Sequence, residues 1–314
     1  MRITNQGLLN GILLGLQRNI TRLEDYQSRI SSGKRVLVPS DDPAATVKVL
    51  DLRTAMVEAA QFRDNAEDGA EWLEQSDNVL SVLEETMVRI RELAVAAANG
   101  TNSTGSYQAM AAELGQIIQS VADLGNTRVG NLYIFSGQHV DTQPIALQAT
   151  PPYATYAGDT NAMTRGIAPG VEVPININAQ EMLIGAANDG LLPTLGQLKD
   201  ALDKLALDAN DASALQTIRG DATLGIPSTL ELIGKAENEL VRLHTDVGAR
   251  AKRLDAAIAR AEAMEDGLSK LISKQEDLDV PRAILELATA DASYKLSLQM
   301  GARIVQPTLM DFLK

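Results

Sequence analysis

Three short motifs in this sequence hold residue types that could do chemistry. Ser31-Ser-Gly-Lys34 matches the Ser-x-x-Lys pattern with which a serine nucleophile begins a penicillin-binding site. Asp208-Ala-Asn-Asp211 has carboxylate and amide oxygens at the close spacing of a calcium loop. His244 is one of only two histidines in the chain and could serve as a metal ligand. Each possibility depends on companion residues elsewhere in the chain.

The companion residues are missing for all three motifs. Ser31-Ser-Gly-Lys34 falls at a predicted helix end and lacks the Ser-Asp-Asn and Lys-Thr-Gly motifs, so a C-terminal helix cap explains it. The segment at Asp208 lacks the central glycine and closing glutamate of a calcium loop, which favours a helix cap. His244 has no second ligand at helical spacing, and the sequence has no phosphate loop or hydrolase elbow. We therefore predict no enzyme, no cofactor and no metal site.

The composition excludes further classes of protein. The chain has 314 residues and no cysteine, which excludes zinc fingers, iron–sulfur sites and disulfide scaffolds. Its net charge of −13 argues against nucleic-acid binding, and no apolar run approaches the length of a membrane-spanning helix. Hydrophobic residues make up 45% of the chain but aromatic residues only 3%. An apolar content of mainly Ala, Leu, Ile and Val favours long helices packed side by side.

Both ends of the chain are predicted to be amphipathic helices. Apolar residues in the first 30 positions follow steps of four and three, with Gln27 filling one place, and a C-terminal helix begins near residue 282. Helices of this length normally gain their stability from a partner. We expect an assembly interface formed by Leu9, Leu13, Leu16, Ile20, Leu23, Ile30, Leu298, Val305, Leu309 and Phe312.

The partner of these helices is left open by the periodicity. Residues 1–35 are net basic and residues 276–314 net acidic, so the two ends could simply pair with each other. Alternatively, both apolar stripes contact further copies of related subunits in a filament core. We expect residues 1–40 and about 278–314 to be largely disordered in the isolated monomer and to become helical on assembly.

Two long helices with heptad spacing are predicted in the middle of the chain, at 52–97 and 228–276. Their similar lengths favour antiparallel packing, with a shorter helix at 107–127 alongside. The residues expected to pack between the helices are Leu73, Leu80, Leu83, Ile90, Leu240, Val247 and Leu254.

The segment 131–190 differs in composition, because it contains five prolines and alternating runs such as Val171–Ile177. We predict a mainly α protein: an elongated rod of long antiparallel, coiled-coil-like helices, with terminal helices and a small inserted β module. The predicted division is an inner core domain of 1–40 with 278–314, a helical rod domain of 41–130 with 191–277, and an outer β-rich module of 131–190.

Several segments of the sequence together resemble the flagellin superfamily. They are spread over both ends and the middle of the chain, so that the resemblance covers essentially all of it. The segments are MRITNQ at 1–6, SSGKR at 31–35, PSDDP at 39–43, RIRELAV at 89–95, ANGTN at 98–102, NLYIFSG at 131–137, YAGD at 156–159, VGAR at 247–250 and QPTLMDFL at 306–313. The last of these resembles the ending of proteins at the junction of hook and filament.

The resemblance implies a structural axial protein of the bacterial flagellum. Such a protein would form a ring between hook-associated protein 1 and the first flagellin subunits. The resemblance also implies export through the flagellar type III apparatus and escort by a cytoplasmic chaperone. Such export would account for an N-terminus without an ordinary secretory signal. No nucleic acid or membrane insertion is expected.

Three alternatives remain at this stage. A short flagellin that forms the filament itself is the nearest, because RIRELAV and ANGTN are equally flagellin-like. A membrane-active amphipathic protein fits poorly with the acidic C-terminal helix, and an enzyme in the β module would lack a polar constellation. Arg89, Leu93 and Glu113 also match flagellin positions recognised by innate immune receptors, which implies a possible receptor-recognition surface.

Overall fold

A computed structural model of the chain describes residues 5–99, 102–186, 188–220 and 228–305. These residues form seven α-helices and three short β-hairpins, with one π-helical turn at Gln180–Ile184. The helices are α1 (Asn5–Ser32), α2 (Pro43–Ala98), α3 (Thr104–Gly125), α4 (Leu191–Leu207), α5 (Ala212–Arg219), α6 (Thr229–Glu276) and α7 (Val280–Val305). The prediction of a mainly α protein with a small β module is confirmed.

The helix boundaries follow local capping chemistry. Gly33 follows α1 with φ +70°, a left-handed conformation that glycine adopts without strain. Asp42 caps α2 by accepting a hydrogen bond from the Ala45 amide at 3.0 Å, next to proline at the first helical position. Asp211 caps α5 by accepting from the Ala214 amide. The two motifs that resembled a nucleophile site and a calcium loop are thus helix ends, as predicted.

The chain divides into two compact units. The terminal unit consists of residues 1–59 and 263–314, and the central unit of residues 60–262. The boundaries lie inside α2 and α6 rather than at the predicted positions near residues 40 and 278. Residues 131–190 belong to the central unit together with the helical residues around them.

In the terminal unit, α1 and α7 pack against each other in antiparallel directions. The Leu278 amide donates to the Gly33 carbonyl at one end, and Asn19 Nδ2 donates to Ser297 Oγ farther along the pair. Both ends of the described chain are therefore paired helices in the structure, whereas the sequence predicted disordered ends in the isolated monomer. The apolar faces of α1 and α7 thus cover each other in part. This pairing of the two ends within one chain is one of the two alternatives that the periodicity left open.

In the central unit, α2 and α6 run antiparallel. Arg91 pairs with Glu237, His244 lies between Asp77 and Glu84, and Gly69 lies next to Leu254. The residues predicted to pack between the helices are all buried, and α3 contributes Tyr107, Ala111 and Leu114 to the same core. The only tryptophan, Trp72, also belongs to this core and is 9% exposed.

The β region consists of three separate antiparallel hairpins, each of two strands, and not of one sheet. The pairs are β1 (Arg128–Val129) with β2 (Leu132–Tyr133), β3 (Ile145–Leu147) with β4 (Ala154–Tyr156), and β5 (Thr164–Ala168) with β6 (Val171–Pro174). Buried residues of this region join the helical core, among them Phe135, Ile145, Ile175 and Leu183. The hairpins are therefore held by the helices that they cover.

Helix α4 packs closely against the β3–β4 hairpin at a glycine. A Cβ atom on Gly196 would lie 2.3 Å from Cγ of Tyr153, whose hydroxyl donates to Asp200 at 2.7 Å. Gly196→Ala is therefore expected to displace the ring and to lower the free energy of unfolding by about 1–3 kcal/mol. Urea denaturation measures this change.

Gly115 provides the matched control, because it also lies inside a helix. A Cβ there would meet Lys199 Cε at an ordinary 3.5 Å. Gly115→Ala should stabilise the chain by up to about 1 kcal/mol, since alanine favours the helix. Equal effects of the two substitutions would show that Tyr153 does not pack against α4 as described.

Candidate assembly surface

The described part of the terminal unit has apolar helices but almost no core. Among the α1 side chains that the structure describes, none is buried, and among those of α7 only Ala283 is. This differs sharply from the central unit, where every predicted packing residue is buried. Helices with so little burial keep much apolar surface in contact with water, which is typical of a surface that another protein covers.

The predicted interface residues divide into two groups by exposure. Leu13 is 61% and Leu298 45% exposed, and Ile20 is also exposed, whereas Leu16, Leu23 and Ile30 are half-buried. Leu9 and Val305 are positions of α1 and α7. Leu309 and Phe312 lie outside the described residues.

Sequence periodicity missed part of the exposed surface. Leu14 on α1 and Leu285, Leu296 and Met300 on α7 are exposed apolar residues that stand beside the predicted stripes. A seam with steps of three and four finds only one face of a helix, so it omits such neighbours. We call the exposed apolar residues of α1 and α7 together the terminal apolar surface.

A charged cluster fastens the chain next to this surface. Glu276 accepts hydrogen bonds from Lys34 Nζ at 2.6 Å and from Arg53 Nη2 at 2.7 Å. Hydrogen bonding from Lys34, reinforced by Arg53, lowers the pKa of the Glu276 carboxyl. The backbones also pair here, since the Arg35 amide donates to the Glu276 carbonyl. This cluster fixes the end of α1 and the end of α6 at one point.

The segment between α1 and α2 is held by two neighbouring aspartates. Asp41 Oδ2 accepts from the amides of Leu37 and Val38 at 3.1 and 3.2 Å, and these two bonds lower its pKa. The Ala45 amide, followed by the Arg35 side chain, likewise lowers the pKa of Asp42. The motifs SSGKR and PSDDP thus fix the conformation of the segment that joins α1 to α2.

The residues expected to form a receptor-recognition surface lie at different depths. Arg89 Nε donates to Glu113 at 2.6 Å, and both side chains are largely open to solvent. Leu93 is only 4% exposed, because it faces the core side of α2. Leu93 therefore does not belong to that surface, which corrects the expectation from sequence.

The part of the chain that the structure describes contains neither a metal-binding cluster nor a membrane-spanning helix. No group of three or more His, Asp or Glu side chains in it is arranged to hold a metal ion. Of the helices there, none combines the length and apolar character needed to cross a bilayer.

Comparison with known proteins shows similarity to proteins of the bacterial flagellum. Residues 3–139 match the family model of the bacterial flagellin N-terminal helical region. Over these residues the chain is similar to the flagellin family.

Some relatives match this chain over nearly their whole length. The chain is 22% identical over 307 residues to flagellar hook-associated protein 3 of Escherichia coli K12, covering 94% of this chain and 95% of that protein. It is 23% identical over 315 residues to the flagellin of Bacillus subtilis 168, covering 98% and 97%. The flagellar junction protein FlgL of Legionella pneumophila shares the fold, with a TM-score of 0.58 at 15% identity over 74% of this chain and 100% of that one. The similarities support the predicted hook–filament junction protein over a short flagellin.

Proposed function

We propose that this chain forms a ring at the junction of hook and filament, between hook-associated protein 1 and the first flagellin subunits. Its role there is structural and not catalytic. The terminal apolar surface carries this proposal, because α1 and α7 cover each other only in part. Neighbouring copies and the two axial partners would cover the remainder, and the buried apolar area would offset the cost of ordering the helices.

The proposal includes the route by which the protein reaches its position. A cytoplasmic chaperone binds its C-terminal region inside the cell, and the protein then leaves the cell through the flagellar type III export apparatus. The exposure of α1 and α7 supports this route. Because few of their described residues are buried, unfolding these helices costs little. Their exposed apolar residues also give a chaperone a surface to cover before assembly.

A site-specific label decides between a junction protein and a flagellin. The chain has no cysteine, so Thr150→Cys, at an exposed position between β3 and β4, creates a single labelling site. We expect a gold–maleimide conjugate to form one narrow band at the hook end of isolated flagella in electron micrographs. Flagella that carry the unsubstituted chain should show no band. Labelling along the whole filament would contradict the junction role and indicate a flagellin.

A further inference from the structure

His244 of α6 bridges two carboxylates of α2 in the central unit. Its Nδ1 lies 2.8 Å from Glu84 Oε1, and its Nε2 lies 3.0 Å from Asp77 Oδ1. The side chain is 27% exposed, so the ring is enclosed on most sides. Asp77 and Glu84 are seven residues apart, which places them on one face of α2. Both ring nitrogens therefore have an acceptor from the neighbouring helix.

The number of acceptors determines which form of the ring fits the site. A neutral imidazole has one N–H group and can donate to only one of the two carboxylates, whereas the imidazolium donates to both. Two charge-assisted hydrogen bonds are stronger than neutral ones, and they join the helices directly. Protonated His244 is thus the form that satisfies this arrangement completely.

Among the described residues, no positive charge beside the ring opposes its protonation. Asp77 and Glu84 are the charged groups that face the ring from α2, and the α6 residues one turn away, Leu240 and Gly248, are uncharged. Burial lowers the pKa of His244, but the hydrogen bonds and charges of Glu84 and Asp77 outweigh it, so that the pKa is raised.

We propose that His244 is a proton-dependent clamp between α2 and α6. A histidine whose pKa is higher in the folded than in the unfolded state stabilises the fold. This stabilisation is complete at pH values below the pKa of the unfolded state, which is near 6.5. This contribution is lost as the pH rises through the higher folded value. The central unit should therefore become less stable from mildly acidic to mildly alkaline pH. The clamp does not depend on the proposed place of the chain in the flagellum.

Nuclear magnetic resonance of the two imidazole rings tests the clamp on the full chain. His139, whose side chain is 64% exposed, is the only other histidine, and His139→Gln assigns the two signals. We expect the titration midpoint of His244 to fall in Asp77→Asn and in Glu84→Gln, and to fall further in the double variant. The same midpoint in the double variant and the wild-type chain would overturn the proposal.

Urea denaturation at pH 6 and pH 8.5 gives an independent readout. The wild-type chain and the matched control His139→Gln should unfold at lower urea concentration at the higher pH, whereas His244→Gln should lose this difference. An unchanged pH dependence in His244→Gln would overturn the clamp. If His244→Gln does not fold, the midpoints in the carboxylate variants still decide the matter.

Discussion

Leu13→Gln and Leu298→Gln should abolish incorporation at the hook end while leaving the isolated chain folded. Leu13 is 61% and Leu298 45% exposed, so these changes should alter monomer stability by no more than about 0.5 kcal/mol. In an assembly the same residues would be buried. Each copy would then lose about 1.5–3 kcal/mol of binding free energy from the burial of the leucine. Burying the glutamine amide without a hydrogen-bond partner would cost about 1–3 kcal/mol more. A ring repeats this loss at every copy.

Two measurements separate folding from assembly in these variants. Circular dichroism melts report whether the monomer is intact, and the Thr150→Cys label reports incorporation in flagella. Gln17→Ala is the matched control, because Gln17 is an exposed polar residue of the same helix. It should incorporate normally. Wild-type labelling by both leucine variants would show that the terminal apolar surface is not an assembly interface.

Leu83→Ala and Leu254→Ala should each lower the free energy of unfolding by about 2–5 kcal/mol. Both leucines are fully buried, one on α2 and one on α6, in the core that these helices share. Removing three carbon atoms from a closely packed position forfeits their burial and leaves a cavity that the surrounding side chains fill only in part.

The neighbouring Val82→Ala provides the control for the core substitutions. Val82 lies on the same turn of α2 but is 46% exposed, so its loss should cost no more than about 0.5 kcal/mol. Urea denaturation of all three variants measures the difference. Neutral effects at both leucines would contradict the antiparallel packing of α2 and α6.

The long helices could be predicted because their signals are local and repeated. The heptad at 228–276 matches α6 (Thr229–Glu276) closely, and Gly33 and Pro43 define where α1 ends and α2 begins. Burial of the packing residues follows from the same periodicity. The hairpins could not be paired in advance, because strands of two to five residues carry too few alternating positions to fix a register.

The polar contacts escaped prediction for a different reason. Glu276 contacts Lys34 across 242 positions of sequence, and His244 contacts Glu84 across 160. No spacing rule connects residues so far apart until the helices have been aligned. Leu93 was misplaced because a resemblance to a family indicates which residue stands at a position, but not how deeply its side chain is buried.

The buried Trp72 gives the central unit an optical signal of its own. It is the only tryptophan in the chain, and it lies in the core formed by residues 60–262. Tryptophan fluorescence therefore reports the loss of that core, while far-ultraviolet circular dichroism reports helix content in both units. Denaturation curves recorded by both methods separate the unfolding of α1 and α7 from the unfolding of the core, and no engineered probe is needed. Whether the two curves coincide distinguishes one cooperative transition from two.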